Sequence, residues 1–154
     1  MIVDVNQLFG MLLSDDEEVQ KEGVELAGDI KDLSIFILPT EGKKLWENCA
    51  RVLTNKTDEE LEPYLFPIFD WFRDANWPGF MTIYERLKKM PARMIVCAYR
   101  FAITMAQETQ RDESRMWLTY LAGLIVNRGL LELLPLDQQE LMKQYYLEWW
   151  GLQE

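Results

Sequence analysis

The chain has 154 residues, of which 49% are hydrophobic and 27% charged, and a net charge of -10. That size and balance fit one globular domain and exclude a disordered segment. The negative charge repels phosphate backbones and argues against a nucleic-acid partner, since no Lys/Arg cluster exceeds pairs such as Lys43-Lys44 and Lys88-Lys89.

The opening stretch "MIVDVNQLFGMLLSDD" has no cationic start and no small-residue cleavage site, so no signal peptide is expected and a cytoplasmic location follows. A first helix is predicted over 5–13 and a second over 16–30, where Val19, Gly23, Leu26, Ala27 and Ile30 share one stripe opposite a charged face. Ser14 with Glu17 and Thr57 with Glu60 have the spacing of a capping box, and Asp137 before Glu140 is a similar helix start. "LSIFILP" at 33–39 reads either as a short strand or as a helical turn closed by Pro39.

A third helix carries "KKLWENCARVL", with Leu45, Trp46, Cys49, Val52 and Leu53 on one face. The fourth is predicted over 58–73. Its stripe of Leu61, Leu65, Ile68 and Phe72 is widened by Tyr64, Phe66, Phe69 and Trp71, so it must touch neighbours on more than one side.

The next segment, "FDWFRDANWPGF" at 69–80, ends one helix and begins another. Pro78 pushes Trp77 out of the α region and suits the first helical position, with Asp74 or Asn76 placed to accept from the N–H groups of Gly79 and Phe80. Two readings stay open. In one, Trp71 and Trp77 wedge between two helices and set their crossing angle. In the other, Asp70, Asp74 and Asn76 form a ridge facing a protein partner, with the tryptophans as anchors.

"WFRDANWPGF" resembles the W-x-x-D-x-N-W-P-G segment of a family of small bacterial helical proteins of unknown function, and "LWENCARVLTNKTDEELEPYLFPIFDWFRD" is similar to the same group. The likeness covers residues 45–87. It implies a small HEAT-like α-α fold, and some proteins of this kind are candidate immunity proteins beside bacterial toxins. An immunity protein occludes a toxin's active site and needs a shaped, charged surface with no chemistry of its own. An acidic surface suits a basic toxin.

Further helices are predicted over 78–90, 92–107, 114–126 and 138–150. Hairpin starts near 41, 78 and 114 recur at roughly 35 residues, a length that suits helical-repeat units. No segment shows strand alternation. The expected fold is therefore all-α, a compact HEAT-like α-α superhelix of seven or eight helices forming a single domain over 1–154. The longest apolar run, "WLTYLAGLIV", is about half a membrane span, so no transmembrane helix is expected. Cys49 and Cys97 each fall on the apolar side of a helical pattern and are expected to be buried free thiols.

The C-terminal "LMKQYYLEWWGLQE" pairs Tyr145 with Trp149 and Tyr146 with Trp150 at four-residue spacing on adjacent faces. The surplus rings have three uses: covering the preceding helix, binding a partner, or joining two copies of the chain.

With no histidine in the sequence, Ser-His-Asp and Cys-His pairs, histidine metal ligands and the commonest general base are all missing. The acids of "SDDEEV" and "TDEEL" sit at helix starts, where the macrodipole favours them without any catalytic purpose. The sequence thus reads as a non-enzymatic protein-binding module without metal or cofactor. Its candidate contact residues are Asp70, Trp71, Asp74, Asn76, Trp77, Trp149 and Trp150. The alternatives are a structural or regulatory homodimer held by the C-terminal aromatics and a carboxylate-based enzyme.

Overall fold

A computed structural model of the chain describes residues 4–151, and all regular structure in that span is helical. Helix α1 (Val5–Leu12) is capped by Asp4, whose carboxylate accepts from Asn6 N at 2.9 Å, and it buries Leu8, Phe9 and Leu12. Helix α2 (Glu17–Ala27) packs against it. The capping box expected of Ser14 and Glu17 does not form. Asp16 caps α2 by accepting from Glu18 N at 2.9 Å, while the Ser14 hydroxyl accepts from Asp16 N at 3.0 Å inside the turn.

The ambiguous 33–39 stretch is a 3-10 turn, Leu33–Phe36, that buries Leu33 and Phe36. Helix α3 (Trp46–Thr54) buries Asn48, Cys49, Ala50, Val52 and Leu53. The Thr57–Glu60 capping box is present: Glu60 N donates to the Thr57 hydroxyl at 3.1 Å and Thr57 N to the Glu60 carboxylate at 3.0 Å.

The single helix expected over 58–73 is four short arcs. Helix α4 (Asp58–Leu61) gives way to a 3-10 turn at Glu62–Tyr64, then α5 (Leu65–Ile68), then a 3-10 turn at Phe69–Arg73. The cause is Pro63 and Pro67, each of which removes an N–H from the ladder and crowds the preceding turn. The changing pitch also explains the broad apolar arc, because tighter turns carry successive large residues inward: Leu61, Leu65, Ile68, Phe69, Trp71 and Phe72 are all buried.

Helix α6 (Phe80–Leu87) packs on α3, and α7 (Ala92–Glu108) packs on α8 (Arg111–Ala122). A 3-10 turn at Gly123–Val126 prolongs α8. Helix α9 (Leu136–Tyr145) follows, ending in a π-helical turn at Tyr146–Trp150. It begins at Leu136, so Asp137 lies in its first turn and does not cap it. Counting 58–73 as one interrupted helix gives the expected eight, and no strand occurs among the described residues. No helix among them is long and apolar enough to cross a membrane.

One apolar cluster runs from Leu8 to Met142. Helix ends inside it are closed by side chains from distant elements. Asn48 Nδ2 donates to Leu12 O at 2.7 Å, and Asn127 Nδ2 to Leu87 O and Met90 O at 2.9 and 2.8 Å. Lys56 Nζ donates to the carbonyls of Ala27, Gly28 and Ile30, each at 3.0 Å. Ala27 O and Leu87 O also accept from the backbone N–H groups of Ile30 and Met90, so there the side chains add a second donor at a helix end.

The two cysteines part company. Cys49 is buried, and burial, with the Glu41 charge as a lesser cause, pushes its thiol up to about 12. Cys97 is exposed, contrary to the expectation, because α7 turns Ile95, Tyr99, Ala102, Ile103 and Ala106 inward. Ellman's reagent at pH 8 should therefore titrate one thiol per native chain and the second only in denaturant. Prompt reaction of both would place Cys49 at the surface.

Candidate functional site

The corner begins where the 3-10 turn at Phe69–Arg73 stops. Asp74 is extended, at φ -151° and ψ 114°, and its Oδ1 accepts from Asn76 N at 2.8 Å. Trp77 N then donates to Asp74 O and Phe80 N to Trp77 O, both at 3.1 Å. Gly79 takes φ 91°, so α6 starts at Phe80 with no side-chain cap. This corrects the expected helix start at Pro78 and the expected capping by Asp74 or Asn76: the Asp74 carboxylate is used inside the turn.

Trp71 is wholly buried and its indole N–H donates to Pro78 O at 2.8 Å, so this ring is the wedge and offers no surface to a partner. Trp77 is half-buried, edge-on to Trp46 at 5.3 Å between ring centroids. Trp46 is itself fixed by its indole N–H donating to Pro39 O at 2.8 Å. The Lys43 ammonium lies 5.9 Å from the Trp46 ring and 5.8 Å from the Trp77 ring.

Asp70 accepts from Arg73 Nε at 3.2 Å, and the Arg73 guanidinium lies 4.0 Å over Trp117. Trp117 is held in turn by its indole N–H donating to Phe69 O at 3.1 Å. Helix α8 packs along the Phe69–Arg73 turn. It thereby brings Glu113 and Met116 beside Arg73, Asp74 and Trp77, and the five residues line a cavity of about 280 Å³.

One turn further along α8, Tyr120 joins the corner to the C-terminus. Burial and, second, the Asp74 charge raise its phenol above the ordinary value. Its ring meets Trp149 edge-on at 5.5 Å and Phe80 at 5.8 Å. Trp150 turns inward: its indole N–H donates to Thr119 O at 2.7 Å, its ring stacks on Tyr84 at 5.1 Å, and it fills the space beside Gly123. Trp150 thus covers the preceding helix, whereas Trp149 remains 37% exposed.

Of the seven candidate residues, Asp74 and Trp77 line the cavity, Asp70 holds Arg73 at its edge, and Asn76 is exposed on the turn. Trp149 stands on the same face through Tyr120, while Trp71 and Trp150 serve packing. Glu113, Met116 and Tyr120 escaped the sequence reading because they reach the corner only when α8 folds against it. Their one sequence signal is an apolar Met116 in an otherwise polar first half of α8.

A wider groove of about 680 Å³ lies between α2 and α3. Two of its polar groups are already committed, Arg51 to Asn48 and Asn48 to Leu12 O, and Val24 is the one aliphatic residue in its lining. A third, of about 580 Å³, lies between the start of α8 and the end of α9, with Arg111, Arg115 and Glu148 in its lining. Of these three cavities, the corner alone combines an aromatic wall, a thioether and carboxylates.

The family model described as a domain of unknown function (DUF5071) matches residues 40–141. The match takes in the whole corner cavity and omits α1, α2 and the C-terminal tryptophans. No curated protein and no solved structure matches the chain.

Proposed function

The chain belongs to the DUF5071 family, and on that premise we propose that it is a non-enzymatic module that binds a basic protein through the corner face. The observation that carries the reading is the cavity lined by the half-buried Trp77 together with Asp74 and Glu113. A large flat ring beside two carboxylates is the composition of a binding hot spot for a cationic surface. The net charge of -10 adds long-range attraction for such a partner. No histidine is present to run common acid–base chemistry.

The more specific form follows from the resemblance to small bacterial HEAT-like proteins: the partner is a basic toxin, and the module is the immunity protein that occludes its active site. The test pairs this chain with the protein encoded beside it and measures affinity by calorimetry. Asp74→Lys with Glu113→Lys should weaken binding at least about tenfold, and raised salt should weaken the wild-type complex. Trp77→Ala should weaken it comparably. The same change should cost only about 1 to 2 kcal/mol of stability, because the ring is half-buried and Trp71 performs the wedging. Affinity indifferent to all three changes would remove the corner from the interface.

A second reading rests on the C-terminal turn, where Leu147 is 68% and Trp149 37% exposed. Two copies meeting there would form a structural homodimer. Light scattering separates the two: a dimer that Trp149→Ala dissociates favours this reading, and a monomer ends it.

A further inference from the structure

We propose that the corner cavity is a receptor for one arginine side chain of the partner, an assignment that rests on the protein-binding reading and names its anchor. The cavity of about 280 Å³ has room for one long side chain. Its wall is the flat Trp77 ring, Met116 adds a polarizable thioether, and Asp74 and Glu113 supply negative charge. A guanidinium matches that set, since it is planar enough to stack on an indole while its fork reaches a carboxylate.

The charge balance favours a cation. Arg73, the one basic residue in the lining, is already paired with Asp70 at 3.2 Å and stacked 4.0 Å over Trp117. Asp70, which lies outside the lining, offsets part of that charge. Glu113 forms no ion pair among the described residues, and Asp74 uses Oδ1 to accept from Asn76 N in the turn. Two carboxylates therefore face an incoming cation.

The same surface already gathers cations onto indoles. Arg73 over Trp117 is the arrangement an incoming arginine would repeat on Trp77, and the Lys43 ammonium rests 5.8 Å from the Trp77 ring. Lys43 is exposed and repels a second cation, so removing its charge should strengthen the site.

The test uses the full chain and three tripeptides, Ac-Gly-Arg-Gly-NH2, Ac-Gly-Lys-Gly-NH2 and the norleucine analogue, followed by the ¹H–¹⁵N resonance of the Trp77 indole. The arginine peptide should shift that resonance saturably in the millimolar range, lysine should bind several-fold more weakly, and norleucine should leave it unmoved. The Trp71 indole, tied to Pro78 O, serves as the internal reference. Asp74→Asn with Glu113→Gln keeps the turn's acceptor and should weaken arginine binding about fivefold or more. Lys43→Met should tighten it.

Equal responses to arginine and norleucine, no saturable change at Trp77, or shifts spread over the acidic faces of α2 and α4 would each overturn the site. Lysine binding as tightly as arginine would overturn the guanidinium assignment. A partner complex sensitive to charge reversal at Asp74 and Glu113, alongside silent tripeptides, would leave the protein-binding reading standing and remove the arginine receptor alone.

Discussion

Replacing Gly79 by alanine should lower stability by about 2 to 5 kcal/mol, read as a fall in the urea midpoint. Two costs add. At φ 91° an L side chain collides with its own backbone, a cost of about 1 to 2 kcal/mol. A Cβ placed there would also lie 2.9 Å from Ala50 Cβ and from Trp46 O, and 3.1 Å from the Trp71 indole nitrogen. One of those atoms is backbone inside α3, so relief requires α3 and the corner to separate, at about 1 to 3 kcal/mol. Gly129 supplies the control, with nearly the same φ of 87° and nothing closer than Ala92 Cβ at 3.9 Å. Alanine at 129 should cost about 1 to 2 kcal/mol from backbone strain alone. Equal losses at the two sites would show that the corner does not press on α3.

That contrast also bears on how much the sequence disclosed. Proline and glycine at 78 and 79 announced a break between helices, and apolar periodicity placed Cys49, Val52 and Leu53 of α3 in the core correctly. The Thr57–Glu60 box was legible because both partners sit within one turn. Pro63 and Pro67 mark the breaks in the sequence itself, whereas the wide apolar arc favours one long helix touching several neighbours. The arc instead records a change of pitch. Cys97 failed for a related reason: in a helix carrying apolar residues on much of its circumference, periodicity alone does not fix which side meets the core.

The candidate site was half legible. Asp74 and Trp77 belong to a dense local segment, so composition alone pointed to them. Glu113 and Met116 became its neighbours through the packing of α8 on the 69–73 turn, a contact between segments some forty residues apart that no local pattern encodes. In the sequence the C-terminal aromatics and the corner are separate patches, and the Tyr120 ring links them by touching both Phe80 and Trp149. The family match includes the corner but ends before Trp149, so the face divides into a matched part and a C-terminal extension.

Lys56→Met should cost about 3 kcal/mol and act first on the N-terminal hairpin. Lysine is rarely buried, yet Lys56 is 4% exposed and its ammonium spends three donors on three carbonyls at the end of α2. The carbonyls of Ala27 and Gly28 lie at the negative end of the α2 dipole, so the charge adds to the hydrogen bonds. Methionine replaces the stem with little loss of volume, and the cost falls on the acceptors. Ala27 O keeps the N–H of Ile30, whereas the carbonyls of Gly28 and Ile30 lose the lysine. A hydrogen bond to a charged donor contributes about 1.5 to 3 kcal/mol, and a single residue supplies them all. Lys56→Arg keeps the charge but not the compact geometry, and it should fall between methionine and wild type. Because Lys56 lies inside the matched segment and α2 before it, hydrogen exchange should quicken across α1 and α2 while α7 and α8 stay protected. Unchanged exchange in α1 and α2, with an unfolding midpoint within error of wild type, would mean that water replaces the ammonium at no cost and that the hairpin is held by its apolar face alone.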